Sequence, residues 1–133
     1  MDIIVNNLPY LLWGPFPDGP IGGLALTLYL SIIMGGAACC FGIALGSLSL
    51  TPIKIVRKTA LGLSICIRGV PSLAFLFWMY FLIPKLLQID LSPFQSATIA
   101  LAIYHGAYMS EDIRGGIQAV GKGQWDTASA TGL

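Results

Sequence analysis

The sequence predicts an all-α membrane protein, a polytopic bundle of transmembrane helices. Of its 133 residues, 56% are hydrophobic and 10% are charged, whereas an average soluble domain carries roughly 25% charged residues. No charged residue occurs between Gly19 and Ile53, and this run exceeds the roughly 20 helical residues that cross a bilayer. The net charge of +1 creates no basic field that would attract nucleic acid. A soluble fold of this length would have too few charges to cover its surface.

Residues 1–20 are predicted to form an irregular lead-in that lies partly at the membrane interface, on the external side. Prolines at positions 9, 15, 17 and 20 interrupt any helix there. Tyr10, Trp13 and Phe16 are suited to the headgroup level. Lys and Arg are missing from this stretch, so it lacks the positive region of a cleavable signal.

The first predicted span is Gly22–Leu50. Its small residues recur at four-residue spacing, first as Ser31 and Gly35, then as the series Ala38, Gly42 and Gly46. On a helix each series forms a groove that lets another backbone approach closely. We therefore expect these positions to pack against a neighbouring helix.

The second predicted span is Thr59–Ile83, which contains Arg68 and Pro71. Its Leu, Ile, Phe and Val residues favour insertion by about 4 to 7 kcal/mol, which exceeds the roughly 2.5–3.5 kcal/mol cost of one central Arg. Pro71 is tolerated best at the start of a helix, which would place Arg68 near the membrane surface. Arg68 is then either a charge on the substrate pathway or an interfacial anchor or structural ion pair.

The third predicted span is Ser92–Ser110, with Ser92 as N-cap before Pro93. His105 lies inside it and either meets a polar substrate, relays a proton or hydrogen-bonds to a neighbouring helix. No second His, Cys or carboxylate accompanies it, so we expect no metal site. The three cysteines, Cys39, Cys40 and Cys66, are interpreted as apolar packing residues.

Basic residues set the predicted orientation. Three of them follow span one and two follow span three, whereas the opposite side has only Lys85 beside three acids, Asp2, Asp18 and Asp90. The positive-inside rule then places residues 51–58 and the C-terminal segment in the cytoplasm and the N-terminus outside. Three spans satisfy this alternation.

Residues 111–133 are predicted to be a cytoplasmic segment that needs a partner surface. They are too short to fold alone, and an isolated helix under about 12–15 residues is marginal in water. Glu111 and Arg114 are spaced for a helical ion pair, and we expect Trp125, Ala128 and Leu133 to share one face. Gly132 can end the helix in the left-handed conformation.

Three blocks of sequence resemble the membrane permease subunit of bacterial ATP-binding-cassette importers for polar amino acids. RGVPSLAFLFWMYF at 68–81 is similar to the Arg-Gly-Thr-Pro block of that family, with Val70 in place of Thr. AYMSEDIRGGIQAV at 107–120 is similar to its Ala-Tyr-x-x-Glu-x-x-Arg-Gly-Gly-Ile block. GQWDTASATGL at 123–133 resembles its coupling loop, with Asp126, Thr127 and Ala128 in place of Glu-Ala-Ala.

The resemblance implies an ATP-driven importer subunit in the bacterial inner membrane. Coupling to a separate ATPase would then involve seven residues: Gly123, Gln124, Trp125, Asp126, Thr127, Ala128 and Gly132. The implied partners are cytoplasmic ATP-binding subunits, a periplasmic substrate-binding protein and a second permease subunit. The implied chain binds no cofactor directly, because ATP belongs to the partner ATPase. The family pattern continues past Gly132, which predicts that this chain is a fragment of a permease.

Two other classes of protein remain open on the sequence alone. A small membrane scaffold would use Gly42 and Gly46 to bind partner helices and would have no use for residues 123–133. A membrane-embedded enzyme would need acid–base groups such as His105 and Glu111, and such groups are sparse in this sequence.

Overall fold

The computed structural model describes residues 7–132, and every regular element in that range is helical. The elements are α1 (Leu8–Trp13), α2 (Gly23–Leu50), α3 (Lys54–Arg68), α4 (Ser72–Phe77), a π-helical turn (Trp78–Leu82), α5 (Ile83–Leu87), α6 (Pro93–Ala119) and α7 (Lys122–Thr131). The predicted all-α class is confirmed. The expectations for Asp2 and Leu133 concern residues outside this described range.

The lead-in is more regular than the prolines suggested. Pro9 occupies the first turn of α1, where its missing N–H costs nothing. After α1 the chain folds back, and the N–H of Gly22 donates to the carbonyl of Trp13 at 2.9 Å. For residues 7–20 the expectation of an irregular stretch is therefore corrected to a short helix and a turn packed against the start of α2; residues 1–6 lie outside the described range.

Helices α2 and α6 form the core of the fold and run parallel. A Cβ placed on Gly42 would lie 2.7 Å from Cβ of Met109, and one placed on Gly46 would lie 3.0 Å from the carbonyl of Ser110. Both partners advance in the same direction along the chain, which defines the parallel orientation. Gly106 of α6 is equally close to α2, because its Cβ would lie 2.9 Å from the Ala38 carbonyl.

The predicted span Thr59–Ile83 is not one straight helix. Helix α3 ends at Arg68, and the segment Ser72–Leu87 leaves it at a bend of 101°. Pro71 explains the break, because it lacks an N–H and disfavours helical geometry at Val70. Helix α3 also starts at Lys54, ahead of the predicted boundary at Thr59.

Helix α6 begins where the sequence indicated and ends later. Ser92 accepts a hydrogen bond from the Gln95 N–H, and the Gln95 side chain accepts one from the Ser92 N–H, which is a complete capping box. The helix then continues past Ser110 to Ala119. Residues 111–119 therefore belong to α6, and the separate polar helix is α7 alone.

One described helix, α2, is long and apolar enough to cross a membrane, and only 17% of its most apolar stretch is buried. The bent pair α3 and Ser72–Leu87 passes the same test as a unit. Helix α6 does not, because polar residues such as Gln95 and His105 interrupt even its uncharged first 18 residues. The prediction of three spans thus stays a prediction on length and composition.

Candidate functional site

A polar cluster connects the end of α3 and the break that follows it to the middle of α6, between Tyr104 and Arg114. Its first member, Ser64, is buried on α3, and its hydroxyl donates to the carbonyl of Ala107 at 3.1 Å. The Ser110 hydroxyl lies 3.2 Å from that of Ser64 and donates to the same Ala107 carbonyl. These bonds satisfy two buried hydroxyls and fix the C-terminal half of α3 against α6.

Arg68, Glu111 and Arg114 form the charged part of this cluster. The guanidinium of Arg68 lies 3.3 Å from one carboxylate oxygen of Glu111, and Arg114 donates to the other oxygen. This hydrogen bond from Arg114 lowers the pKa of the Glu111 carboxyl, and the positive charges of Arg114 and Arg68 act in the same direction. The same bond raises the pKa of the Arg114 guanidinium. The expected pair Glu111–Arg114 is present, and Arg68 joins it from another helix.

Two tyrosines extend the cluster to the start of α4. The hydroxyl of Tyr104 donates to the carbonyl of Val70 at 3.2 Å and lies 3.3 Å from the hydroxyl of Tyr108. The Tyr108 ring also lies under the Arg68 guanidinium, 5.9 Å from its centroid. The four-residue stretch from Arg68 to Pro71 is thereby held to α6 through Arg68 and Val70.

His105 adjoins this cluster and lies in a groove between α2 and α6 that Tyr108 also lines. Its ring meets the edge of Tyr104 at 5.8 Å between centroids. The same groove is lined by Gly35 and Ala38 from α2 and by Asp112 from α6. Among residues 7–132, no hydrogen bond joins His105 to a neighbouring helix, so the structure does not show the bond that was expected.

The small residues of α2 divide into two groups. Gly42 and Gly46 face α6 at close range, and Ala38 is 3% exposed. Gly35 has open space beside it, because a Cβ added there would meet no other atom within 4 Å. The series Ala38, Gly42 and Gly46 thus packs within this chain, and a scaffold that binds partner helices through Gly42 and Gly46 loses its basis.

Helix α7 projects from the end of α6 and has no buried residue. Gln124, Thr127, Ala128 and Thr131 line one shallow groove along it, whereas Trp125 is 55% exposed. Ala128 lines this groove with Gln124 and Thr131, and it also lies only about 60° around the helix from Trp125, three positions earlier. Gly132 ends the helix at φ +79°, the left-handed conformation that was expected of it.

Comparison with known proteins identifies a family that matches most of the chain, including the polar helix α7. Residues 38–133 match the family described as the binding-protein-dependent transport system inner membrane component. The chain belongs to this family. The matched range includes the Arg68 cluster, the α2–α6 contact and all of α7.

Similar proteins from this inner membrane family are amino acid permeases. The probable glutamine ABC transporter permease protein GlnM of Bacillus subtilis (strain 168) is 34% identical over 111 residues, covering 84% of this chain and 51% of that protein. The glutamate/aspartate import permease protein GltK of Escherichia coli O157:H7 is 32% identical over 137 residues, covering 98% of this chain and 57% of that protein. The chain thus spans about half the length of these relatives.

A solved structure supports the same fold. The crystal structure of an amino acid ABC transporter with histidines matches with a TM-score of 0.81 and 28% identity. The match covers 98% of this chain and 56% of that chain. The bent arrangement of α3 and α4 lies within the aligned region, because nearly the whole chain is covered.

Sequence reasoning missed the partners of several cluster residues. It placed Glu111 beside Arg114 because they are three residues apart, but it left the partner of Arg68 open. Ser64 and Tyr104 carried no local signal, because their partners Ala107 and Val70 lie 43 and 34 positions away. The only available indication was that hydroxyl groups lie inside apolar segments, because buried hydroxyl groups need hydrogen-bond partners elsewhere in the fold.

Proposed function

We propose that the chain acts as the membrane permease component of an ATP-driven amino acid importer in the bacterial inner membrane. The family and the amino acid permeases among its relatives support this assignment. The partners proposed with it are cytoplasmic ATP-binding subunits, a periplasmic substrate-binding protein and a second permease subunit. The chain itself would bind no cofactor, and ATP would be hydrolysed on the partner subunit.

The proposed orientation places the N-terminus outside and α7 in the cytoplasm. Parallel helices α2 and α6 need one return crossing between them, and Ser72–Leu87 is the segment available for it. Three basic residues, Lys54, Arg57 and Lys58, then lie on the same side as Arg114 and Lys122. This distribution agrees with the positive-inside rule and supports a multi-pass protein with three crossings in this range.

The observation that carries the coupling role is the exposure of α7. A ten-residue helix with no buried residue gains little stability from its own chain, because isolated short helices are marginal in water. The small side chains of Thr127 and Ala128 on its groove face permit close approach of another protein. We propose that this face docks on the ATPase subunit, and that Trp125 and Asp126 flank the contact.

Force received by α7 would reach the membrane through α6. The Arg68–Glu111 contact attaches the base of α6 to the break before α4. A tilt of α6 would therefore move Ser72–Leu87 with it, and we propose this as the route from ATPase closure to the crossing helices. Glu111 is held by two guanidinium groups, which supports this structural role over that of a catalytic base.

The docking proposal can be tested with two alanines of α7. Ala128 lines the groove, whereas Ala130 does not line it and lies about 160° from Ala128 around the helix. Ala128→Trp is expected to reduce co-purification of the co-expressed ATPase subunit at least tenfold, and Ala130→Trp to leave it unchanged. Equal recovery of the ATPase with both variants would show that this face does not dock, provided that both chains elute as folded protein on size exclusion.

A further inference from the structure

Helix α3 is the most amphipathic of the long helices in the described chain. Compared with α2, α6 and α7, it shows the strongest segregation of apolar from polar residues, and its average hydrophobicity is low. Its buried stripe consists of Ala60, Ser64 and Ile67. Helices that lie in the plane of the membrane interface have this combination.

The exposed perimeter of α3 has a basic side and an apolar side. At about 100° per residue, one flank of the buried stripe contains Lys54, Arg57 and Lys58. The other flank contains Ile55, which is 80% exposed, Leu63, which is 46% exposed, and Cys66. Ile65 is the one large apolar residue exposed on the basic flank. A surface divided in this way can face water and lipid at once.

The end of α3 lies beside the Ala107–Glu111 stretch of α6, and its start lies near the end of α2. Near its end, Ser64 bonds to Ala107 and Arg68 contacts Glu111. Its start follows α2 directly, and α2 ends one turn after Gly46, which faces Ser110. Helix α3 therefore connects the last turns of α2, where Leu45 and Leu48 share a groove with Ile55 and Leu63, to the Ala107–Glu111 stretch of α6.

Most of the membrane thickness can be crossed without α3. The axis of Ser72–Leu87 makes a bend of 101° with α3, so α3 lies close to the membrane plane when that segment follows the normal. At 1.5 Å per residue Ser72–Leu87 extends for about 24 Å, and α6 extends for about 27 Å from Pro93 to Glu111. The length of α6 is close to the hydrocarbon thickness of about 30 Å, and that of Ser72–Leu87 is about 6 Å short of it.

We infer that α3 is an interfacial helix in the cytoplasmic headgroup layer, where Lys54, Arg57 and Lys58 bind the phosphates of anionic lipids. Ile55, Leu63 and Cys66 reach the acyl boundary on the opposite flank. Arg68 takes no part, because Glu111 holds it. The inference rests on the membrane placement proposed above but not on docking to an ATPase.

Depth measurements with nitroxide labels test the placement of α3. The labels are attached at Ile55→Cys and, separately, at native Cys66, with Cys39 and Cys40 replaced by Ser, in phosphatidylglycerol-containing vesicles. A spanning α3 would separate these two sites by about 16 Å in depth, whereas an interfacial α3 places them at nearly equal depth. Collision rates with oxygen and with a water-soluble nickel complex report the depth of each label.

Leu73 and Leu86 provide the matched control pair on the crossing segment. They are 65% and 66% exposed and should differ in depth by about 20 Å. A depth gradient for this pair and none for the pair on α3 supports the inference. Gradients in both pairs overturn it. The absence of a gradient at Leu73 and Leu86 overturns the proposed crossing itself and the inference with it.

Lipid binding is tested by replacing Lys54, Arg57 and Lys58 together with Gln. In uncharged detergent, phosphatidylglycerol should raise the Tm of the unmodified chain more than phosphatidylcholine does. The triple variant should lose this difference, whereas a control with Lys85→Gln and Lys122→Gln should keep it. A difference that survives in the triple variant refutes the lipid site. An equal rise with inorganic phosphate would show that any anion suffices, and would also refute it.

Discussion

The guanidinium of Arg68 lies 3.3 Å from the carboxylate of Glu111, which is 43 residues further along the chain. This contact connects the break between α3 and α4 to the base of α6. Because α7 follows α6 directly, the same contact lies between the crossing segment Ser72–Leu87 and the exposed polar helix. Rigid attachment at this point would allow a movement of α7 to reach the membrane.

The first prediction concerns the strength of this contact. The two side chains are 26% and 33% exposed, and exposed pairs contribute about 0.2–1 kcal/mol. A double-mutant cycle with Arg68→Gln and Glu111→Gln should therefore give a coupling energy of about 0.5–1 kcal/mol in unfolding titrations.

The control for this cycle uses Lys122, a basic residue of α7 with no ion pair among the described residues. A cycle between Lys122→Gln and Glu111→Gln should give additive effects. Additive effects in the Arg68 cycle as well would show that the pair carries no net attraction.

The second prediction compares two glycines of α2. A Cβ on Gly42 would lie 2.7 Å from Met109 and 3.1 Å from the carbonyl of Gly106, whereas a Cβ on Gly35 meets nothing within 4 Å. Gly42→Ala should destabilise the fold by about 1–3 kcal/mol, as overpacking does. Gly35→Ala should be neutral or stabilising by up to about 1 kcal/mol, since Ala favours helix. Unfolding in a graded detergent mixture measures both, and equal effects would contradict the parallel packing of α2 and α6.

Local features of the fold could be predicted from the sequence. The first predicted span agrees closely with α2, because a long uncharged apolar run strongly favours a single long helix. Ser92 was expected as N-cap and Gly132 as a left-handed terminus, since both depend on neighbouring residues alone. The Glu111–Arg114 pair follows from helical spacing.

Features that depend on distant parts of the chain could not be predicted. The apolar residues among positions 59–83 favour membrane insertion by more than Arg68 opposes it, so the composition indicates a single span. Composition alone, however, does not show where the helix axis changes direction. The bend of 101° after α3 shows that the two halves of the predicted span run in different directions. Polar residues after Ser110 suggest the end of a span, but the helical backbone of α6 continues beyond its apolar stretch without interruption.

The third prediction compares two buried serines. The Ser64 hydroxyl bonds to Ala107 and Ser110, whereas the Ser96 hydroxyl is buried with no partner among the described residues. Ser64→Ala should cost about 1 kcal/mol, and Ser96→Ala should be neutral or stabilising, because an unpaired buried hydroxyl is unfavourable. Thermal unfolding of the two variants in one detergent provides the comparison. A larger loss for Ser96→Ala would mean that its hydroxyl is bonded in the assembled protein.

The fourth prediction concerns the end of α7. Gly132 has φ +79°, and Gly123 is a helical residue with open space around it. Gly132→Ala should destabilise the last turn by about 1 kcal/mol, because a Cβ disfavours the left-handed region, and Asn should be tolerated better than Ala there. Gly123→Ala should stabilise the helix by up to about 1 kcal/mol. Amide hydrogen exchange over residues 122–132 should accelerate in Gly132→Ala and slow in Gly123→Ala. Acceleration in both variants would show that α7 is held by something other than its own helical geometry.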